Sequence, residues 1–265
     1  MRVPVAAVGL TVGLAMSLAA CGNQSHSAPV SSKSDKAVVD GANPVVAAPV
    51  KPDPRVGAVF FGGGELHACT GSVLHSPAGN LVLTAAHCLA PGDPATFVPG
   101  FARKATPADL WTVDALYLDP GWITTQDPKA DYAIVRVSRP GGGSVEAEVG
   151  SAFSLGAAPA RGSRISVIGY PAGVGGTPIG CQNTTGITDG GYPSLPCEGM
   201  ANGTSGAPWI SGSSVVGLIG GLHGGGCAEN LSYSPPFDRH ISDLLARAEA
   251  DGPGDAPPGG YNDEC

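Results

Sequence analysis

Gly203-Thr204-Ser205-Gly206-Ala207-Pro208 is the stretch on which the reading of this chain turns. A serine sits between two glycines, where the backbone can bend sharply and its amides can approach a bound group closely. Upstream, Thr84-Ala85-Ala86-His87-Cys88 supplies a histidine, and Asp131-Tyr132-Ala133-Ile134-Val135 supplies a carboxylate at the head of an apolar run. A serine hydroxyl is a poor nucleophile at neutral pH and needs a base to take its proton. Imidazole suits that task, with an unperturbed pKa of about 6.5. A carboxylate on its other nitrogen fixes the tautomer and stabilises the cation. The oxyanion that forms on attack needs fixed N–H donors. Ser205 is therefore assigned as nucleophile, His87 as general acid and base, and Asp131 as its orienting partner. The backbone N–H groups of Gly203 and Ser205 are assigned to an oxyanion hole. Singly, each residue has a plainer meaning: a turn serine, a satisfied core histidine, an aspartate that begins a strand. Their joint occurrence in this order argues for catalysis.

That order, with Ala-Ala-His-Cys and Gly-Thr-Ser-Gly-Ala-Pro, resembles the chymotrypsin/trypsin-like serine proteases. Other Ser-His-Asp hydrolases place the three residues in a different order. The serine motif is similar to that of the bacterial secreted branch, which includes the glutamyl endopeptidases. The likeness runs from about Val56 to Ala250. It implies an all-β fold of two antiparallel six-stranded β-barrels, with a C-terminal helix. The site would lie in the crevice between them, His87 and Asp131 coming from the first barrel and Ser205 from the second. The function implied is a serine endopeptidase that works through an acyl-enzyme on a peptide or protein substrate. It needs no cofactor and no metal. The alternative is a binding protein on the cell surface that keeps the protease fold without its chemistry.

The residues support that architecture. Short β-branched runs separated by Gly, Pro, Asn or Asp predict strands around 56–61, 69–75, 81–85, 111–118, 132–137, 164–170, 207–210 and 214–222. Ile241, Leu244, Leu245 and Ala248 fall at helical spacing, and Asp238 is a suitable N-cap, which predicts a helix over about 238–249. The domain is expected over 55–250, with a flexible crossover between its two halves at about 140–150.

Two departures from the family matter. Thr204 stands before the serine, where digestive proteases carry an Asp that receives a newly cut N-terminus. Threonine cannot pair with an ammonium group. So although Arg55-Val56-Gly57 resembles an activation site, the site is expected to be competent without propeptide cleavage. The specificity pocket also differs. Six residues before Ser205 stands Gly199, where trypsin-like enzymes have an Asp, so selection for Arg or Lys is not expected. Glu198 is one residue away, and Met200 could form an apolar wall. Gly221-Leu222-His223-Gly224-Gly225-Gly226 loosely resembles the stretch of glutamyl endopeptidases whose His binds a substrate carboxylate. An ungapped count puts Ile219 at that place, so His223 takes the role only through an insertion. Gly199, Met200, Gly221 and His223 are the candidate pocket residues.

Composition and targeting set the surroundings. Residues 1–20 read as a signal peptide, and Leu18-Ala19-Ala20-Cys21 resembles a bacterial lipobox in which Cys21 is lipidated. Residues 21–54 read as a disordered linker, poor in bulky apolar side chains and about 30 Å across as a coil. The tail, 251–265, rich in Gly, Pro and acidic residues, is expected to be flexible. The net charge of −8 shows no basic patch, which argues against a nucleic-acid partner. The chain is expected to be a monomer outside the cell, touching the membrane only through its anchor. The abundance of Ala, Gly, Pro and Val with few lysines suggests a high-GC bacterial source.

Seven cysteines leave six once Cys21 is set aside, in a context where disulfides persist. The family resemblance implies Cys69–Cys88. The other four allow three pairings. Cys181–Cys197 with Cys227–Cys265 is preferred over the rival Cys197–Cys227. No Cys or His spacing matches a zinc motif.

Overall fold

The structure is a computed structural model and describes residues 37–38, 43–200, 202–226 and 230–261. The expected signal peptide, Cys21, most of the expected linker, and Cys227 and Cys265 lie outside the described residues.

Six strands form the first half: β1 Val56–Phe61, β2 Leu66–Leu74, β3 Leu81–Thr84, β4 Ala95–Pro99, β5 Trp111–Leu118 and β6 Ala133–Ser138. They run in the order β2-β1-β4-β5-β6-β3, and β3 pairs back to β2, so the barrel closes. Every one of these pairings is antiparallel. Val59, Val82, Phe97, Trp111 and Val135 on these strands are all buried. Gly57 and Gly71 face each other across β1 and β2 and make room for Phe97. A Cβ on Gly57 would come 2.5 Å from the Phe97 ring, and one on Gly71 would come 2.9 Å from Val82. β4 has no counterpart among the strands read from sequence. Its five residues end in Pro99 and are flanked by Gly-Asp-Pro and Gly100, which read locally as turn.

The second half contains β7 Arg164–Gly169, β8 Ile179–Thr184, β9 Gly186–Thr188, β10 Pro193–Leu195, β11 Pro208–Ser211, β12 Ser214–Leu218 and β13 Ser232–Tyr233. One six-stranded sheet runs Ser154–Leu155, β12, β11, β7, β8, Ala48–Pro49; a four-stranded sheet runs Ala37–Val38, β9, β10, β13. Both surround a core of Ile165, Val167, Leu195, Trp209 and Ile219. The all-β architecture with a C-terminal helix is the one the sequence led us to expect. That helix, Arg239–Glu249, is capped by Asp238, whose Oδ1 accepts from His240 N at 2.8 Å. Ile241, Leu244 and Ala248 form its buried face.

Three segments expected to be flexible carry structure. In the crossover, Ser144 caps a short helix, Val145–Val149, that ends on Gly150 at φ 79°. In the expected linker, Val45–Val46 pairs with Cys197–Glu198 and Ala48–Pro49 pairs with Ile179 and Gly180. In the tail, Asp255 N donates to Leu116 O at 2.7 Å and Tyr117 Oη donates to Gly252 O at 2.9 Å. The linker and tail segments are held by backbone groups of distant strands, and the crossover helix by Gly79 O, which accepts from Glu146 N; such ties leave no mark on local composition.

Arg55 is tied in as well. Its Nη2 donates to Asp53 Oδ2 at 2.7 Å, its guanidinium lies 4.0 Å over the Phe153 ring, and its carbonyl accepts from Val73 N. The Arg55–Val56 peptide bond is thus part of a strand ladder with a fully buried Val56.

Candidate active site

β3 ends at Thr84, and a single 3₁₀ turn, Ala86–Cys88, follows it. That turn presents His87 at the barrel rim. Thr84 Oγ1 donates to Thr70 O at 2.8 Å, which ties the end of β3 to β2. A disulfide joins Cys69 on β2 to Cys88, spanning 19 positions of sequence. It secures the histidine turn from its other side, as the family resemblance implied. The second bridge, Cys181–Cys197, is the preferred pairing and excludes the rival Cys197–Cys227.

Asp131 caps the 3₁₀ turn Pro128–Ala130, shortly before β6, and is fully buried. Its Oδ1 accepts from His87 N at 2.9 Å. Its Oδ2 accepts from Gly221 N at 2.7 Å and lies 2.8 Å from His87 Nδ1. An ionised carboxylate can only accept, so the Nδ1 proton points at Asp131 and Nε2 is left as the basic nitrogen. Three N–H groups around one carboxylate offset the cost of burying it.

Ser205 lies on the turn between β10 and β11. Gly203 has φ 95° and Gly206 has φ 81°. Both values belong to the left-handed region, where a side chain is strained. Space forbids one too. A Cβ on Gly203 would collide with Ala172 N, and one on Gly206 with Thr70 O. Gly206 N donates to Ile219 O at 2.7 Å and Ala207 N to Thr204 O at 2.8 Å. By contrast, no described residue accepts from the N–H of Gly203 or Ser205.

Thr70 stitches this turn to the first barrel, and no local motif marks it for that task. Its N–H donates to Ser205 O at 2.8 Å, and its Oγ1 donates to Gly203 O at 3.1 Å while accepting from Tyr170 N at 2.9 Å. The Cys88 sulfur lies 3.9 Å from that same Ser205 oxygen. The residue after His87 and the backbone of Ser205 are therefore neighbours. Among the described residues none hydrogen-bonds Ser205 Oγ. Catalytic hydrogen bonds in empty sites are commonly long and tighten when substrate is bound.

A cavity of about 640 Å³ opens beside Ser205, its lining including Pro171, Met200, Asn202, Ile219 and Gly224–Gly226. Of the candidate pocket residues, Met200 lies on this wall. Gly199 does not, and Glu198 is exposed outside it. Gly221 serves Asp131 instead. His223 has φ 51° and sits edge-on to Tyr233, with ring centroids 6.3 Å apart. Ile219, the residue an ungapped count selects, takes the wall position. No charged side chain is among the described residues of the lining.

Residues 69–218 match the trypsin-like peptidase domain, and the chain belongs to that family. The protease Anisep from Arthrobacter nicotinovorans is 26% identical, with a TM-score of 0.66 over 77% of this chain and 99% of its own. The thermostable serine protease AL20 from an extremophilic microorganism is 25% identical, with a TM-score of 0.65 over 76% of this chain and 99% of its own. A Glu endopeptidase shares the fold at 18% identity and a TM-score of 0.60, over 81% of this chain and 99% of its own. No curated protein matches the chain. The chain is thus similar to chymotrypsin-like serine proteases and carries the domain of a peptidase.

Proposed function

We propose that this chain is a serine endopeptidase that cleaves peptide bonds through an acyl-enzyme on Ser205. Its His87 is held by Asp131 so that Nε2 is the basic nitrogen. In the reaction Ser205 Oγ meets that nitrogen as the substrate carbonyl enters. His87 takes the hydroxyl proton while Oγ bonds to the carbonyl carbon, and the electron pair moves to the carbonyl oxygen. The N–H groups of Gly203 and Ser205, which have no acceptor among the described residues, receive that oxyanion. His87 then passes the proton to the leaving amine. Water attacks the ester by the same route, and Ser205 is restored.

The observation that carries this reading is the buried Asp131 carboxylate, aimed at His87 by three N–H groups, with the Ser205 turn fastened alongside by Thr70. Folding alone has no use for a fully buried carboxylate in this place. The cavity adds a preference. Met200 and Ile219 offer apolar wall and no counter-charge, so burying Arg, Lys or Glu there would be costly. The enzyme should favour an uncharged residue on the acyl side of the cut. Two disulfides fit an extracellular compartment, and Leu18-Ala19-Ala20-Cys21 supports a lipid anchor in a bacterial membrane.

Reaction of the purified protein with a fluorophosphonate tests the chemistry. Wild type should be labelled at Ser205, and Ser205→Ala and His87→Ala should not, while both variants keep the wild-type circular dichroism. A folded wild type that resists the probe would instead mark a binding protein on a protease scaffold.

A further inference from the structure

The C-terminal tail is docked, and it ends its described course on the catalytic histidine. The last helix turns over at Ala250, and Asp251 forms an ion pair with Arg136 on β6. Asp255 is the main fastening. Its Oδ2 accepts from Leu118 N at 2.8 Å, its Oδ1 accepts from Arg247 Nη1 at 3.0 Å, and its own N–H donates to Leu116 O. Arg247 Nη2 donates to Leu118 O at 2.8 Å, so one guanidinium ties helix, tail and β5 together. Further on, Gln126 Nε2 donates to Gly260 O at 3.4 Å. The next residue, Tyr261, stacks on His87 with ring centroids 5.3 Å apart and 23° between planes. Its other neighbour is Trp122, at 5.2 Å, a side chain buried in the helix Pro120–Thr125 just before Asp131.

From this, and resting on the role given to His87 above, we propose that Tyr261 is a positioning residue for the catalytic imidazole. Asp131 fixes one edge of the ring, and a hydrogen bond to one nitrogen does not by itself set the ring's rotation about that axis. A second aromatic ring laid nearly parallel on its face opposes that rotation. The stack also keeps bulk water from one face of the imidazole. Trp122 backs Tyr261, and Asp255 holds the strap that delivers it. The tail therefore completes the active site and is part of its machinery.

The test uses the full chain with three substitutions: Tyr261→Ala, Tyr261→Phe and Asp255→Ala. An aromatic stack is worth about 0.5–1.5 kcal/mol, which corresponds to a rate change of about two- to twelvefold. Tyr261→Ala should lower kcat by about that factor and leave KM within twofold. Tyr261→Phe should restore the wild-type rate, because the ring and not the hydroxyl does the work. Asp255→Ala, far from the chemistry, should reproduce part of the loss by loosening the strap. Labelling by a small fluorophosphonate, too short to reach neighbouring subsites, should slow by the same factor as kcat. A loss confined to peptide hydrolysis, with labelling unchanged, would make Tyr261 a substrate contact and overturn the proposal. A faster Tyr261→Ala enzyme would make the tail a blocking cap, with the same consequence. Failure of wild type itself to label would defeat the serine-protease reading and this proposal with it, whereas a labelled wild type with an unchanged Tyr261→Ala rate would defeat this proposal alone.

Discussion

Replacing Asp131 by Asn tests the site at its most constrained point. The carboxylate has two oxygens and three donors: His87 N at Oδ1, and His87 Nδ1 and Gly221 N at Oδ2. Asparagine is nearly isosteric and has a single acceptor oxygen. With that oxygen in the Oδ2 place, the new NH₂ points at the His87 N–H, donor against donor. With it in the Oδ1 place, the NH₂ faces Gly221 N and His87 Nδ1. The imidazole then accepts at Nδ1 and carries its proton on Nε2, where it cannot take one from serine. Either way one charge-assisted bond is lost and a donor is left opposed, at about 1.5–3 kcal/mol of stability. For a domain of this size that lowers Tm by several degrees, about 5 °C, so the variant still folds. The activity loss is far larger. Loss of the correct tautomer in a Ser-His-Asp site costs about 10⁴ in kcat, or about 5 kcal/mol of barrier. The assay is kcat/KM on an unstructured peptide with an uncharged residue before the scissile bond, at pH 7–8, beside a thermal melt. Activity within tenfold of wild type would refute the assignment of Asp131 and the tautomer argument with it.

Three further outcomes follow from other contacts. Gly203→Ala places a Cβ against Ala172 N at φ 95°, so the turn must shift; peptide turnover should fall at least a hundredfold, the scale of one lost oxyanion donor, as read by kcat. Replacing Cys69 and Cys88 together by Ser opens a loop of 19 positions and should cost about 3 kcal/mol in denaturant unfolding, with loss of activity near 37 °C. Burial pushes the Asp53 carboxyl up, but the Arg55 side chain and N–H more than reverse this and hold it below the ordinary value. A carboxylate whose folded pKa is depressed adds stability at pH values above its unfolded pKa, near 4, and loses it as pH falls through the folded value. Arg55→Met should therefore flatten the melting-temperature profile between pH 5 and pH 3, and should not activate the enzyme.

The residues proposed as catalytic could be picked from the chain by their short motifs, and at Ser205 by the unusual backbone its glycines allow. Gly203 and Gly206 hold left-handed conformations beside close neighbours, and glycine alone tolerates both. Asp131 and His87 sit at a strand start and a strand end, where short motifs betray them. The subsites were legible only in part. Met200 reached the cavity wall, but Gly221 was drawn away to Asp131 and His223 went to Tyr233, because loop lengths between distant strands decide which residue faces inward. All three tryptophans are buried, and Trp122 also lies against Tyr261.

By itself the chain displayed the groups on which the proposed chemistry rests: a hydroxyl between glycines, an imidazole after a strand, a carboxylate before one, and the all-β frame that such short apolar runs can build. Tertiary structure alone decided that Thr70 fastens the Ser205 turn, that Gly221 donates to Asp131, and that a tail rich in glycine and proline lays Tyr261 on His87. The division has a physical cause. Backbone strain and residue chemistry are local and leave their trace in a few consecutive letters. Hydrogen bonds and ring contacts between residues more than a hundred positions apart exist only once the chain has closed on itself.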